Sequence, residues 1–253
     1  MPPSRRAFPL PSPAERQRFR RNLLAWYRRN GRDLPWRKTA DPYHILVSEI
    51  MLQQTQVDRV LPKYHEWLGK YPTLAVLAEA PPDEVSETWY PLGYNIRPKR
   101  LQSIAQQAVA HYDGRLPSDH ETLLSFKGIG EYTAGAIRSF AFRERAAILD
   151  TNVARVLYRV FIGQRKRSRP TKQATLTASA KAAASPPKRD ARRWKGRLHK
   201  DLWKVSEAVL PSKHAFDFNQ ALMDFGAMHC SARKPRCAAC PMKRFCRSYP
   251  IGR

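Results

Sequence analysis

Apolar residues recur every three or four positions over most of the chain, which is the spacing of one face of an α-helix. In the first such stretch Phe19, Leu23 and Trp26 form an apolar stripe, beginning near Ala14 and ending near Gly31. Further helices are predicted over 42–68 (with a break near 61–62), 73–79, 83–89, 98–112, 122–126, 131–142, 151–162, 202–210 and 216–228. No stretch alternates with period two for long, so the pattern predicts an all-α protein.

The chain has 253 residues and a formal net charge of +25. This length allows one large domain or two small ones, each with a buried core. No apolar run approaches the roughly 18 residues that would span a bilayer, so we expect no membrane segment. The charge favours a polyanionic partner. Nucleic acid is the first candidate, because each phosphate contact releases counterions.

Two segments differ from the helical regions in composition. Residues 1–13 are rich in proline and are predicted to be a disordered basic arm. Residues 164–200 hold 13 lysines or arginines against one acid and are predicted to be a basic insertion that contacts nucleic acid nonspecifically, with a solvated loop as the alternative. The folded regions are then 14–163 and 201–253. No secretory signal is recognisable, so we expect a cytoplasmic, nucleoid-associated protein.

All four cysteines lie within the last 24 residues, in the spacing C-x6-C-x2-C-x5-C. They are Cys230, Cys237, Cys240 and Cys246. Thiolates are ligands for zinc or for an iron–sulfur cluster. Zinc sites more often show two C-x2-C pairs, whereas only Cys237 and Cys240 form one here. Two disulfides would need an oxidising compartment. The spacing leaves a cluster, zinc, disulfides and free thiols open.

A short G-x-G turn separates the predicted helices 122–126 and 131–142. It consists of Lys127, Gly128, Ile129 and Gly130. Backbone N–H groups exposed at the start of the second helix can bind a phosphate, and the helix dipole favours the anion. Any tight turn between helices could show the same residues, but the net charge favours a contact with a phosphate backbone.

Two carboxylates are candidates for acid–base chemistry. Glu49 lies in an otherwise apolar helical run, where burial would raise its pKa and suit a general acid; an exposed position on an amphipathic helix is the alternative. Asp150 precedes a predicted helix and could be an ordinary N-cap. It could also stabilise a developing cation. One protonated and one ionised carboxylate are what cleavage through an oxocarbenium-like transition state requires.

Polar and aromatic side chains near Glu49 could contact bases. Gln53 and Gln54 follow it within two helical turns, and flat amides can enter a base stack or pair with base edges. A solvated helix face is the alternative. Tyr94 could be a wedge or a core aromatic.

Taken together, these pieces resemble the helix–hairpin–helix DNA glycosylases of the endonuclease III-like HhH-GPD superfamily, and within them the MutY-type adenine glycosylases. The resemblance runs from about Trp26 to Cys246 and is broken by the basic insertion. It is carried by the four-cysteine tail and by residues 31–37, 48–57, 128–137, 149–153 and 218–224.

The resemblance implies a two-lobed α-helical enzyme with a 4Fe–4S cluster on the four cysteines, acting as a monomer. Its partner would be double-stranded DNA containing a mismatch or an oxidised base, from which a flipped adenine opposite 8-oxoguanine or guanine is removed. Glu49 would protonate the adenine, and Asp150 would stay ionised beside the sugar cation. The other implied substrate-binding residues are Trp36, Arg37, Gln53, Gln54, Tyr94, Tyr132, Asn152 and Asp224.

Position 132 bears on the type of reaction. Relatives that also cut the strand carry a Schiff-base lysine there, which Tyr132 cannot replace, so the resemblance implies a monofunctional glycosylase. Two departures from the family pattern concern recognition. The chain ends seven residues after Cys246, so we expect it to lack the additional domain that helps recognise 8-oxoguanine. Asn95 stands where the family usually has a second tyrosine.

Two other functions are compatible with the sequence. A mismatch-specific thymine or uracil glycosylase shares a tyrosine at position 132, although the run 51–56 favours adenine. A noncatalytic DNA-binding module would keep the scaffold and the charge. Retention of both Glu49 and Asp150 counts against such a module, because a protein that only binds DNA has no use for an acid in an apolar helix.

Overall fold

The computed structural model describes residues 8–163 and 196–251. These ranges contain α-helices, short 3-10 and π-helical turns and no strand, which confirms the all-α prediction. The α-helices are α1 (Pro13–Asn30), α2 (Pro42–Leu52), α3 (Val57–Lys70), α4 (Leu74–Glu79), α5 (Pro82–Trp89), α6 (Ile96–His111), α7 (His120–Ser125), α8 (Glu131–Phe140), α9 (Thr151–Leu157), α10 (Arg197–Val209) and α11 (Ala215–Asp224). None of the described helices is long and apolar enough to cross a membrane.

The chain divides into two compact units. We call Arg32–Ile148 with Leu210–Asn219 the hairpin unit, and Met1–Gly31, Leu149–Val209 and Gln220–Arg253 the cysteine unit. The predicted arm lies outside the described residues up to residue 7. The predicted insertion lies outside them from 164 to 195, and α10 begins at Arg197.

In the hairpin unit, α2 is the central helix. It is apolar on nearly every side, and every residue from 45 to 51 is buried, as expected for a helix surrounded by others. Asp41 caps its first turn, accepting hydrogen bonds from the N–H groups of Tyr43 and His44. The helix packs against α3, α6 and α8. Edge-on stacking of Trp67 and Trp89, with centroids 5.4 Å apart, adds to this core.

The predicted helix break near 61–62 is wrong. The chain leaves helical structure at residues 53–56, between α2 and α3, and Pro62 lies inside α3 on its exposed side. A proline removes one backbone hydrogen bond. The apolar face of α3, with Val60, Tyr64 and Trp67 buried, compensates for that loss and keeps the helix continuous.

In the cysteine unit, α1 packs against α10, and α9 packs against α10 and the chain that follows α11. Phe19 and Phe161 meet edge-on with centroids 5.0 Å apart. Both α9 and α11 end in π-helical turns, Tyr158–Ile162 and Phe225–His229. The second turn leads directly into Cys230, so packing of these helices fixes where the cysteine segment begins.

Candidate active site

Glu49 lies in the middle of α2 and is 4% exposed, with Ser48 and Ile50 buried on either side. The sequence left open whether this acid is buried or exposed, and in the structure it is buried. Ser48 Oγ donates to the carbonyl of Ile45 at 2.8 Å, so the hydroxyl beside Glu49 is occupied by its own helix. The burial of Glu49 places its carboxyl away from bulk water, within an otherwise apolar helix.

The end of α2 meets a turn that carries Tyr94. Gln54 and Tyr94 are both exposed, and both adopt left-handed backbone, with φ of 58° and 52°. This conformation costs about 1–3 kcal/mol for a residue other than glycine and collects at functional sites. The Tyr94 hydroxyl donates to Gln54 Oε1 at 2.7 Å. The structure thus brings together two of the predicted base-contacting residues, on neighbouring turns of the hairpin unit.

The sequence did not indicate the residue that joins these turns, Arg97. Its guanidinium is 4% exposed and donates to backbone carbonyls of both the 50–53 segment and the 92–93 segment. Arg97 opens a basic run that also contains Lys99 and Arg100, which is typical of a solvated surface. No local signal could have shown that its partners on the α2 side lie more than 40 residues away in the chain.

Trp36 and Arg37 lie on a 3-10 turn, Pro35–Arg37, that packs against α2. Trp36 is 6% exposed and meets Tyr64 edge-on, with ring centroids 5.2 Å apart. Arg37 Nη1 donates to the carbonyl of Arg32 at 2.9 Å. The turn that carries both residues thus packs against the helix of Glu49, and their role towards a base stays a prediction.

The predicted hairpin connects α7 to α8. Ile129 N–H donates to the carbonyl of Phe126 at 3.0 Å, and the buried Ile129 side chain anchors the turn. Gly128 has a φ of 118°, which only glycine adopts readily. Gly130 caps α8 without a side-chain hydrogen bond, and both Gly130 and Lys127 are exposed. Gly130 thus supplies no side-chain oxygen to the start of α8, where the helix dipole favours an anion.

Tyr132 lies in the first turn of α8 and is partly exposed. Its phenol cannot supply the amine that a Schiff base needs.

Asp150 caps α9 in the cysteine unit. Its Oδ1 accepts from the N–H of Val153 at 2.6 Å, and its Oδ2 accepts from Asn152 Nδ2 at 3.1 Å. Removal from water raises the pKa of Asp150, while these hydrogen bonds and the charge of Arg155 oppose the rise. Asp150 is thus an N-cap, which was one of the two roles that the sequence suggested for it. That role is compatible with a second one, because a carboxylate oxygen can accept more than one hydrogen bond.

Arg155, which sequence reasoning also missed, links the Asp150 cap to the cysteine segment. Its Nη2 donates to Asn152 Oδ1 and to the carbonyl of Gly226, both at 2.7 Å, and its Nε donates to the carbonyl of Cys230 at 3.0 Å. A Cβ at Gly226 would lie 2.8 Å from that of Asn152, so only glycine allows this approach. The hydrogen bonds to Asp150 and Arg155 and the close approach of Gly226 therefore hold Asn152 in place. Asp224, two residues before Gly226, is fully buried.

The four cysteines are free thiols and line one cavity. Burial raises the pKa of Cys240 to about 12, with a further contribution from the three other thiols. Arg159 Nη1 donates to Cys230 Sγ at 3.4 Å, and Met242 N–H donates to Cys240 Sγ at 3.4 Å. Within 8–163 and 196–251, no three His, Cys, Asp or Glu side chains are placed to hold a single metal ion.

Comparisons with known proteins identify the family of the chain. Residues 47–183 match the model of the family described as HhH-GPD superfamily base excision DNA repair protein. The chain is 38% identical over 244 residues to the human adenine DNA glycosylase, an alignment covering 93% of this chain and 40% of that protein. It is 40% identical over 235 residues to the adenine DNA glycosylase of Mycolicibacterium smegmatis, covering 91% of this chain and 70% of the relative.

A solved structure is also similar. A thermostable thymine-DNA glycosylase superposes with a TM-score of 0.77 at 31% identity, covering 94% of this chain and 97% of the other. The chain spans 40–42% of the length of the mammalian relatives that it matches. The family match covers more than half of the chain and includes both Glu49 and Asp150. This chain belongs to the HhH-GPD superfamily of base excision DNA repair proteins.

Proposed function

We propose that this chain is a monofunctional DNA glycosylase that releases adenine mispaired with 8-oxoguanine or guanine in duplex DNA. The observation that carries the proposal is Glu49, an acid that is 4% exposed in the central helix and lies one turn before Gln53 and Gln54. The curated relatives at 38–40% identity are named adenine DNA glycosylases, which supports adenine as the base.

In the proposed reaction the adenine is rotated out of the duplex, with Tyr94 and Gln54 entering the stack. Protonated Glu49 gives its proton to a ring nitrogen of adenine, and the bond between that base and the sugar breaks with the electron pair leaving on the base. Ionised Asp150 stabilises the positive charge that develops on the sugar. Water then adds to the sugar carbon and loses a proton to Glu49, so the products are free adenine and an abasic site.

Tyr132 supports the monofunctional part of the proposal. Without a lysine amine at this position the sugar carbon cannot form a Schiff base, so the strand stays intact.

The second candidate is a mismatch thymine or uracil glycosylase, favoured by the 31% identity to a thymine-DNA glycosylase along nearly its whole length. Duplexes with a single A·8-oxoguanine, A·G, T·G or U·G pair separate the two. We expect base release from the adenine duplexes. Release from T·G or U·G alone would replace the proposal with the second candidate, and tight binding without release from any duplex would indicate a noncatalytic module.

We propose that DNA phosphates contact both the hairpin and a basic cavity in the cysteine unit. The cavity has a volume of about 610 Å³. Its lining includes four exposed cations and no acid, namely Arg18 and Arg21 of α1 with Lys243 and Arg244. Asn22 Nδ2 donates to the carbonyl of Pro241 at 2.8 Å and joins α1 to the cysteine segment. Uncompensated cations around one concavity attract phosphate.

Replacing Arg18 and Arg21 together by alanine is expected to weaken binding to any duplex and to flatten its salt dependence. Each lost phosphate contact lowers the slope of log affinity against log salt by about 0.9. The matched control replaces Arg28 and Arg29, which are exposed on the same helix but do not line the cavity. Titrations at several salt concentrations measure both slopes. Equal loss in the two variants would mean that only net charge matters.

We further propose that the four cysteines hold a 4Fe–4S cluster. Four thiols line one cavity, and four thiolates are the ligand set of one 4Fe–4S cluster. Arg159 and the N–H of Met242 donate to two of the sulfurs, and such donors stabilise thiolates that carry negative charge. When bound, the cluster would serve as a structural clip, because glycosidic hydrolysis needs no electron. The protein is proposed to act as a cytoplasmic, nucleoid-associated monomer.

Replacing Cys240 by serine is expected to remove most of the iron, because serine is a poor ligand for a cluster. Protein purified without oxygen should be brown and contain about four irons per chain. The control is Ser231→Ala, beside Cys230, which should keep its iron. Metal analysis gives the answer independently of activity. Stoichiometric zinc in place of iron would contradict the cluster.

A further inference from the structure

The buried guanidinium of Arg97, in α6, binds the C-terminal end of α2. Arg97 Nη1 donates to the carbonyls of Ile50 at 3.1 Å, Met51 at 2.9 Å and Gln53 at 2.6 Å. These carbonyls lie at the end of α2, where carbonyls lack the N–H groups of a following helical turn; the Ile50 carbonyl also accepts from the N–H of Gln53 at 3.4 Å. The charged donor thus fixes the backbone that leads into Gln54.

The second terminal nitrogen of the same guanidinium, Nη2, binds the turn at 92–93 as well as Thr55. Arg97 Nη2 donates to Thr55 Oγ1 at 3.2 Å and to the carbonyls of Leu92 and Gly93, both at 3.0 Å. One side chain therefore joins two segments that lie about 40 residues apart in the chain. Charge-assisted hydrogen bonds of this kind are stronger than neutral ones.

Two aromatic rings flank the guanidinium. Its central carbon lies 5.1 Å from the centroid of Trp89 and 5.3 Å from that of Tyr94. Cations attract the faces of aromatic rings, so Arg97 contacts the Tyr94 ring as well as its backbone. Trp89 is buried while Tyr94 is 57% exposed. Arg97 thus lies between the core and an exposed aromatic.

Both exposed residues at this junction need support. Gln54 and Tyr94 have left-handed backbone, which such residues leave readily unless their surroundings hold them. Their mutual hydrogen bond, at 2.7 Å, joins two exposed side chains and competes with water. Arg97 donates to backbone carbonyls before Gln54 and before Tyr94, and these buried hydrogen bonds hold both segments more firmly than the exposed bond alone.

We propose that Arg97 is a positioning residue, which holds Gln54 and Tyr94 in the arrangement from which they enter the base stack. The inference rests on the proposed glycosylase function. It adds to that function a residue that touches neither the base nor the sugar. A lysine cannot take its place, because one ammonium offers three donors at a single point, whereas a guanidinium spreads its donors over a plane.

The first test needs no DNA. Hydrogen exchange of the free protein is compared between wild type, Arg97→Lys and Gln102→Leu. Gln102 is a matched control on the same helix, because its Nε2 donates to the carbonyls of Leu77 and Ala80 and so supports a different part of the fold. Arg97→Lys should increase exchange about tenfold or more at residues 52–56 and 92–96. Gln102→Leu should leave these segments unchanged.

The second test follows the base. In this test 2-aminopurine replaces the mispaired adenine. Its fluorescence rises when the base leaves the stack, so unstacking is measured separately from cleavage of the glycosidic bond. We expect Arg97→Lys to lower the fluorescence rise and the rate of adenine release about tenfold each, with affinity for undamaged duplex unchanged. In a Tyr94→Ala background, Arg97→Lys should have little further effect, because it acts through the residue already removed.

The outcomes separate the two proposals. If the wild type releases no adenine from any duplex, the proposed function fails, and the exchange experiment still decides whether Arg97 holds the two turns. Faster exchange with undiminished unstacking and release would overturn the positioning role, as would unchanged exchange in Arg97→Lys. Effects of Arg97→Lys and Tyr94→Ala that add fully would also overturn it.

Discussion

Glu49→Gln is expected to abolish adenine release while leaving DNA binding intact. Glutamine has nearly the same shape as glutamate and can occupy the same place in α2, but it cannot give a proton to the departing base. General acid catalysis contributes about 10²–10⁴-fold to such reactions, so a loss of about 10³-fold or more is expected. Single-turnover release from an A·G duplex measures the loss, and titration of the same duplex measures binding.

The matched control is Glu79→Gln, which removes an exposed carboxylate from α4 in the same unit. It should release adenine at the wild-type rate. Because Glu49 is buried, the Gln variant is also compared with wild type by thermal unfolding, so that loss of chemistry is not confused with loss of fold. Wild-type release by Glu49→Gln would remove this residue from the mechanism.

Asp150→Asn is expected to lower the rate of adenine release about 10²–10³-fold, the usual size of one missing electrostatic stabiliser. Asparagine still accepts the hydrogen bond from the N–H of Val153 and is as good an N-cap as aspartate. The helix should therefore form normally. What is lost is the negative charge beside the sugar.

The pKa of Asp150 also predicts a change in stability. Removal from water raises this pKa in the folded protein, so the fold binds the proton more tightly than the unfolded chain. Wild-type stability should therefore fall as pH rises from about 3.9, the ordinary aspartate value, to the raised folded value, and the loss should persist above it. Asp150→Asn has no charge to bury and should melt higher than wild type at neutral pH.

Melting curves over a range of pH measure this difference, and release rates over the same range should fall in wild type as Asp150 takes up its proton. A variant that is both less stable and inactive at neutral pH would show instead that attraction to Arg155 outweighs the loss of water. That result would make Asp150 a structural residue first.

Much of the local structure follows from the sequence for physical reasons. The helices are predicted from apolar spacing and caps, and Asp150 is visible as an N-cap because the cap is a local hydrogen bond. The break placed at Pro62 is wrong because tertiary burial of Val60, Tyr64 and Trp67 outweighs one missing hydrogen bond. The grouping of the four cysteines is predictable because it lies within 17 residues of chain.

Long-range features could not be predicted. The sequence around Glu49 is apolar whether the acid itself is buried or exposed. Only the packing of α3, α6 and α8 against α2 shows that it is buried. Arg97 and Arg155 look like ordinary surface cations in the sequence, yet each is buried and donates to carbonyls far away in the chain. The supporting residues of a site depend on tertiary partners that periodicity does not reveal.

The identity of the released base decides whether this protein is an adenine glycosylase. Purified protein is incubated under single-turnover conditions with duplexes containing one A·8-oxoguanine, A·G or T·G pair, and the free bases and strand breaks are both quantified. We expect free adenine from the first two duplexes, with a strand that breaks only after alkali treatment. Release of thymine without adenine, or strand cleavage without alkali, would contradict it.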